Sequence, residues 1–280
     1  MKGVNEIKAR IGGVRDTLKI TKAMYVIAAS KMAKCMSDLS NGKQYLSLVD
    51  RAVSRLMCPK YAQNPFLMGN ADGKDVGFIV IAGNKGLCGD YNDKVLAKAW
   101  DVVSAYHDRK IFTVGNVTQL YFKGKGEKVS SAFTHMMQNP LPEDAAHIAD
   151  RLMEDLVKSK LKQVFVIYTM ANKLHDQAVV VERLLPLPYE MQEQDVVLSR
   201  EDEDVGELLH EALRARVYCA LMDAYCALNY KHMTGMQQAA KNGEEMLAEL
   251  TQNYNHARQA AITAELNDVN VTRMATEDNL

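Results

Sequence analysis

Tryptophan occurs once in 280 residues, at Trp100, proline six times, and no two of the five cysteines stand in a Cys-x-x-Cys pair. The odd number and wide spacing of Cys35, Cys58, Cys88, Cys219 and Cys226 suit reduced thiols in a cytosolic compartment, acting as packing residues. No apolar run approaches the roughly 20 residues needed to span a bilayer, so the chain is not expected to cross a membrane by itself. The seven histidines show neither i,i+4 pairing nor a neighbouring Cys or acid at ligand spacing, and no metal site is expected. A Gly-x-Ser-x-Gly elbow is missing too, which removes the motif of a serine hydrolase. With a formal charge of -1 and a pI near 6.7 there is no global field for nucleic acid, anionic lipid or an acidic substrate. Any basic surface must be local.

What is present is a soluble, globular composition, 48% hydrophobic and 25% charged, with sixteen methionines that read mainly as core filling. Three segments differ in pattern. From Val4 to about Leu56 there is no proline, and apolar or small residues recur at Ile7, Ile11, Val14, Leu18, Thr21, Met24, Ala28, Met32, Cys35 and Leu39. Steps of three and four over this length predict a helix with a heptad-like seam. Pro59 closes the segment. From about Asp75 to Leu187 the runs "GFIVIAG", "KIFTVGN", "KVSSAFT", "KQVFVIYTM" and "QAVVVERLLPL" read as strands, separated in part by helical stretches at Asp93 to Tyr106 and Glu143 to Leu161. This predicts a small open α/β domain whose last strands pair antiparallel. "LPLPYEMQEQD" reads as a linker. From Val205 to about Asn267 the seam returns at Leu213, Val217, Ala220, Ala224, Leu228, Met236, Ala239, Gly243, Met246, Leu250, Tyr254, Ala257, Ala261 and Ala264.

A helix of roughly 60 residues reaches about 90 Å, far more than a compact domain requires. Two such seamed helices at opposite ends of one chain can bury their seams against each other. The expected fold class is therefore α/β: a long antiparallel coiled coil of the N- and C-terminal helices carrying an inserted small Rossmann-like α/β domain. The expected divisions are 1–58 for the N-terminal helix, 75–190 for the inserted domain, 204–268 for the C-terminal helix and 269–280 for a divergent tail.

Little in the chain suggests bond chemistry. "IAGNKGLCGDYN", Ile81 to Asn92, is a strand entering a glycine-rich turn before a helix, a place where backbone N–H groups can cradle phosphate. Gly83, Gly86 and Gly89 give neither Walker A spacing nor G-x-G-x-x-G, so a structural turn is the preferred reading and phosphate or nucleotide binding the alternative. Cys88 stands in this turn without a recognisable base or acid. The run "REDEDVGE", Arg200 to Glu207, suits the solvated start of a helix, where acids favour the dipole. "YNHARQAAITAEL", Tyr254 to Leu266, places Arg258, Gln259, Thr263 and Glu265 around a helix with a small-residue seam, either as a solvated face or as contacts with a surrounding partner.

Three of these stretches, in this order and at these separations, resemble the gamma subunit of F-type ATP synthase, the central stalk of the rotary ATPase. They are "RIGGVRDTLKITKAMYVIAASKM", "NKGLCGDYN" and "YNHARQAAITAEL". The resemblance spans about residues 1 to 268. It implies a non-catalytic rotor shaft that couples ion flow through a membrane sector to ATP synthesis or hydrolysis in a catalytic ring. The implied partners are the alpha and beta subunits of that ring, the epsilon subunit and the membrane c-ring, with no nucleic acid. The implied location is peripheral, on the cytoplasmic face of the bacterial inner membrane. It also implies rotor–stator contacts at Lys22, Met24, Arg258, Gln259, Thr263 and Glu265, with no catalytic, cofactor-binding or metal-binding residue. Departures from the family pattern are Tyr25 where Glu is usual, Ala227-Leu228 and His232-Met233 in place of Ser-Glu and Arg-Met, and Glu201-Asp202 in place of an acidic-Pro element. The tail "NDVNVTRMATEDNL" also lacks the small apolar Gly-Ala ending. A membrane-surface protein docking through the basic first helix is a third reading, set against the narrowness of the seam at Met24, Ala28 and Met32.

Overall fold

A computed structural model of the chain describes residues 2–56, 64–70, 73–158, 161–171, 177–189 and 202–277. Pro59 and most of the expected linker lie outside them. The N-terminal helix α1 runs Lys2–Leu56 and a short helix α2 runs Pro65–Met68. The inserted domain follows as β1 (Asp75–Ile81), α3 (Tyr91–Val103), β2 (Arg109–Val114), α4 (Asn116–Gly124), β3 (Val129–Phe133), α5 (Pro142–Lys158), β4 (Leu161–Met170) and β5 (Ala178–Leu185). Helix α6 then spans Asp202–Glu277. The five strands form one mixed sheet in the order β3-β2-β1-β4-β5, parallel except for the β4–β5 pair. The α/β class and the long terminal helices are those expected from the sequence.

The chain divides into two compact units: Met1–Ala28 with Met233–Leu280, and Ala29–His232. In the larger unit, β1 is central and buried on both faces, which is why it reads as an unbroken apolar run rather than an alternating one. Phe78, Ile79, Ile81, Ile111, Phe112, Phe122, Ile148, Leu152 and Leu156 fill the core between the sheet and its helices. Helix α5 starts on Pro142, which needs no N–H there, and carries Glu143 and Asp144 in its first turn, where the helix dipole favours acids. The Asp144 carboxylate accepts the Leu141 N–H at 2.9 Å, covering a donor just ahead of the helix.

Helices α1 and α6 run antiparallel within this unit: Gly42 faces Tyr218, Tyr45 donates to Glu211 at 2.9 Å, and Cys35 is disulfide-bonded to Cys226. That bond corrects the expectation of reduced thiols for these two residues; Cys88 and Cys219 are free and buried. Separation along the chain carries no information here, because antiparallel helices bring together residues 191 apart.

In the smaller unit Gly243 lies against Leu18, where an added Cβ would come within 3.2 Å of the leucine side chain. Residues 1–28 carry six basic and two acidic side chains, residues 233–280 three basic and seven acidic, so the two helical segments attract. Lys22 Nζ and Glu244 Oε1, 2.6 Å apart, make this a direct ion pair. The seam differs in detail from its expected positions. Tyr25, Ala240 and Leu247 are partly covered, whereas Met24 and Met246 are 38% and 45% exposed and Ala239 is exposed. Steps of three and four are equally regular on paper, and only the neighbouring helix selects between adjacent residues.

Two glycines of similar appearance carry opposite expectations. At Gly115, with φ 95°, a Cβ would lie 2.2 Å from the Ala82 carbonyl oxygen, so Gly115→Ala is expected to destabilise by about 3 kcal/mol or more. At Gly12, inside α1, a Cβ meets nothing within 4 Å, and Gly12→Ala is expected to stabilise by about 1 kcal/mol. Urea unfolding of the two variants measures both signs.

Candidate functional site

In an open α/β sheet the strand order reverses at one point, and ligands bind in the crevice beyond the carboxyl ends of the strands there. Here that point lies between β1 and β4. The turn from Gly83 to Gly89 leaves the end of β1 and enters α3, so the sequence motif stands where a nucleotide phosphate would be held. The turn's own chain satisfies it instead. Asn92, buried in the first turn of α3, accepts the Gly83 N–H at 2.9 Å through Oδ1 and donates through Nδ2 to the Lys85 carbonyl at 3.2 Å. Asn84 Oδ1 accepts the Asn116 N–H at 3.0 Å, and the Gly83 carbonyl accepts the Val117 N–H at 3.2 Å. Gly83 is closely packed, since a Cβ would meet Asn92 Oδ1 at 3.0 Å and Leu228 Cδ1 at 3.3 Å. Gly89 takes a positive φ of 58°, whereas Gly86 has open space around it.

Leu228 belongs to α6, and its neighbours on that helix line the crevice. Tyr91 donates its hydroxyl to the Ala224 carbonyl at 3.0 Å, and Gln177 Nε2 donates to the Ala227 carbonyl at 3.0 Å. The Asp223 carboxylate, almost fully buried, accepts the Ala171 N–H beyond β4 at 3.3 Å and pairs with Lys43 of α1 at 3.0 Å. Asp90, just before α3, pairs with Lys94 at 2.6 Å and with Lys231 of α6 at 3.0 Å. These two bonds hold the Asp90 carboxyl well below the usual carboxylate range, at about 2. The small residues Ala220, Ala224 and Ala227, all buried, let the α6 backbone approach closely enough for its carbonyls to be gripped. The occupant of the crevice is therefore a helix of the same chain.

Burial raises the Cys88 thiol, against a lowering hydrogen bond from Asn92, so the thiolate is disfavoured at neutral pH. Among the described residues no group of His, Cys, Asp and Glu is arranged to hold a metal ion. No helix of the described residues is long and apolar enough to cross a membrane.

The residues singled out at the chain ends lie in the smaller unit. Lys22 meets Glu244, and Met24 faces outward. Arg258, Gln259, Thr263 and Glu265 are exposed, the Thr263 hydroxyl donating to the Gln259 carbonyl at 2.9 Å. They begin about 21 Å farther along α6 than Glu244, at 1.5 Å per residue, so Lys22 and this polar group are not one cluster. Sequence reasoning missed Asp90, Lys231, Asp223 and Lys43. The only signal was an acid, Asp223, inside an otherwise apolar and small stretch of helix.

A family model described as ATP synthase matches residues 3–273. The ATP synthase gamma chain of Glaesserella parasuis is 30% identical, aligned over 96% of this chain and 98% of its own length. That of Streptococcus pyogenes is 31% identical, over 95% and 96%. The chain belongs to the ATP synthase gamma chain family. The fold agrees with a rotor chain of the Euglena gracilis mitochondrial ATP synthase, at 13% identity and a TM-score of 0.65 over 93% of this chain and 99% of that one. It also agrees with a central stalk/c-ring chain of the Tetrahymena thermophila mitochondrial ATP synthase, at 21% identity and a TM-score of 0.61 over 79% and 99%.

Two substitutions test the grip on α6. Asp223→Ala removes the acceptor for the Ala171 N–H and is expected to cost about 2 kcal/mol in urea unfolding. Asp90, with a folded pKa depressed to about 2, contributes stability that is present above the ordinary carboxylate range near 3.8 and is lost as pH falls towards 2. Asp90→Asn is expected to flatten the pH dependence of the urea midpoint in that window. The effect shrinks at high salt, because the carboxylate is about half exposed.

Proposed function

We propose that the chain is the non-catalytic rotor shaft of an ATP synthase, turned by an ion-driven membrane ring and driving nucleotide affinities in a surrounding catalytic ring. Its membership of the gamma chain family supports the place in the complex. The observation that carries the non-catalytic reading is the crevice at the carboxyl ends of β1 and β4, where Leu228, Ala224 and Ala227 of α6 stand in the position of a nucleotide. A sheet whose binding crevice holds its own long helix is a clamp on that helix, and the phosphate-binding alternative finds no support.

The partners in this reading are alpha and beta subunits around the helical tip, an epsilon subunit, and the membrane c-ring. Its location is the cytoplasmic face of a bacterial inner membrane. The surface of the smaller unit suits enclosure by other chains. Ile20, Met24, Val26 and Ile27 on α1 and Ile262, Leu266 and Val269 on α6 are large apolar residues left substantially exposed. Interspersed with them are Arg258, Gln259, Thr263 and Glu265, polar groups able to form and break contacts as the shaft turns. Gly83, Gly86 and Gly89 serve the turn that seats Leu228.

A tagged full-length chain drawn from its native cell is expected to bring with it an ATPase assembly containing both ring subunits, whereas the purified chain alone is expected to hydrolyse no ATP and to give no calorimetric binding signal with nucleotide. Saturable ATP binding by the purified chain, lost in Asp90→Asn or Asn92→Ala, would count decisively for the enzyme reading. In the assembled complex, the double substitution Arg258→Ala with Gln259→Ala is expected to lower ATP turnover several-fold. Thermal stability of the chain should change by less than about 1 °C, because both side chains are exposed.

A further inference from the structure

We propose that Cys35 and Cys226 form a redox-controlled staple between α1 and α6, open under reducing conditions and closed by exchange with a disulfide-class oxidant. The inference does not depend on the rotor reading. The two residues lie 191 apart in sequence with their Cα atoms 5.8 Å apart, at the separation a disulfide requires, and they are bonded. Both are enclosed, 2% and 0% exposed, with Met32 and Leu39 buried one turn to either side of Cys35 on α1. Each sits about two turns inside the larger unit, near its boundaries at Ala29 and His232. The other two described cysteines do not compete: Cys88 lies beside Asn92 in the β1–α3 turn, and Cys219 lies near Gly42.

The exchange is balanced by the oxidant. The thiolate of one cysteine attacks a sulfur of R–S–S–R, forming a mixed disulfide and releasing one R–SH. The second cysteine then attacks the protein-side sulfur of that mixed disulfide and releases the second R–SH. Two S–H bonds and one S–S bond are exchanged for one S–S and two S–H bonds, the two electrons passing to the oxidant. Because both sulfurs are enclosed, attack requires the helix pair to open, so each state, once set, is retained. Closed, the staple blocks sliding of α1 along α6 at this level and ties a loop containing the whole five-stranded sheet. Open, the two helices are held here by packing and by the neighbouring Lys43–Asp223 pair.

The test uses the purified full chain, unfolded in urea and reduced with dithiothreitol, then divided and refolded free of reductant, one half in glutathione disulfide and the other under a thiol reductant. In the oxidised half, mass mapping under non-reducing conditions is expected to find the Cys35 and Cys226 peptides joined, with Cys88 and Cys219 open to alkylation after unfolding. Its midpoint of thermal unfolding should lie higher than that of the reduced half by about 5–10 °C. Cys35→Ser and Cys226→Ser should each abolish this difference, and Cys88→Ser and Cys219→Ser should keep it. The proposal is overturned if Cys35 and Cys226 remain free after refolding in oxidant, if either pairs with another cysteine, or if the midpoints agree within about 1 °C. Should a serine variant fail to fold, the peptide map and the two wild-type midpoints decide the question alone.

Discussion

From residue 219 to residue 229, α6 is buried on every side, and the larger unit depends on that burial. A helix in such a position must satisfy two neighbours at once. One face meets α1, through Cys226 against Cys35 and Tyr218 over Gly42. The other meets the crevice of the sheet, through Leu228 over Gly83 and the Ala224 and Ala227 carbonyls gripped by Tyr91 and Gln177. Small side chains make both approaches possible. They contribute little apolar area themselves, so directed hydrogen bonds and ion pairs supply what a leucine-rich seam would have supplied by burial.

This arrangement accounts for an otherwise odd economy in the fold. A doubly wound sheet ordinarily presents its switch point to a soluble ligand, and the glycine-rich turn after β1 retains that form. With the crevice occupied, the same geometry becomes mechanical. Asp223 is shared between the Ala171 backbone and Lys43, and Asp90 between α3 and α6, so displacing the helix breaks charged contacts on two elements together. In the smaller unit the balance differs, because the helices meet along a narrow seam and opposite net charges do part of the work. Large apolar residues there remain in water, as expected of a surface that functions inside an assembly.

Much of the fold was legible in sequence because its signals are local. Five β-rich runs became five strands, and two proline-free stretches with recurring small residues became the two long helices. The three motifs that carry the family resemblance were likewise readable as strings. Less legible was which of two adjacent residues faces a neighbour: Tyr25 rather than Met24, and Leu247 rather than Met246. A heptad-like pattern tolerates either choice, and the partner helix makes it.

The sequence by itself determined the five strands, the two long helices, the helices before β2 and β4, and the family, since periodicity, turn residues and motifs depend on neighbours a few positions away, whereas the short helices α2 and α4 carried no such signal. Tertiary structure alone decided that Cys35 meets Cys226, that Lys43 meets Asp223, and that the glycine turn seats Leu228 instead of a phosphate. Those outcomes depend on bringing together segments more than a hundred residues apart. No local pattern encodes that distance, whereas antiparallel packing and a parallel sheet fix it through geometry.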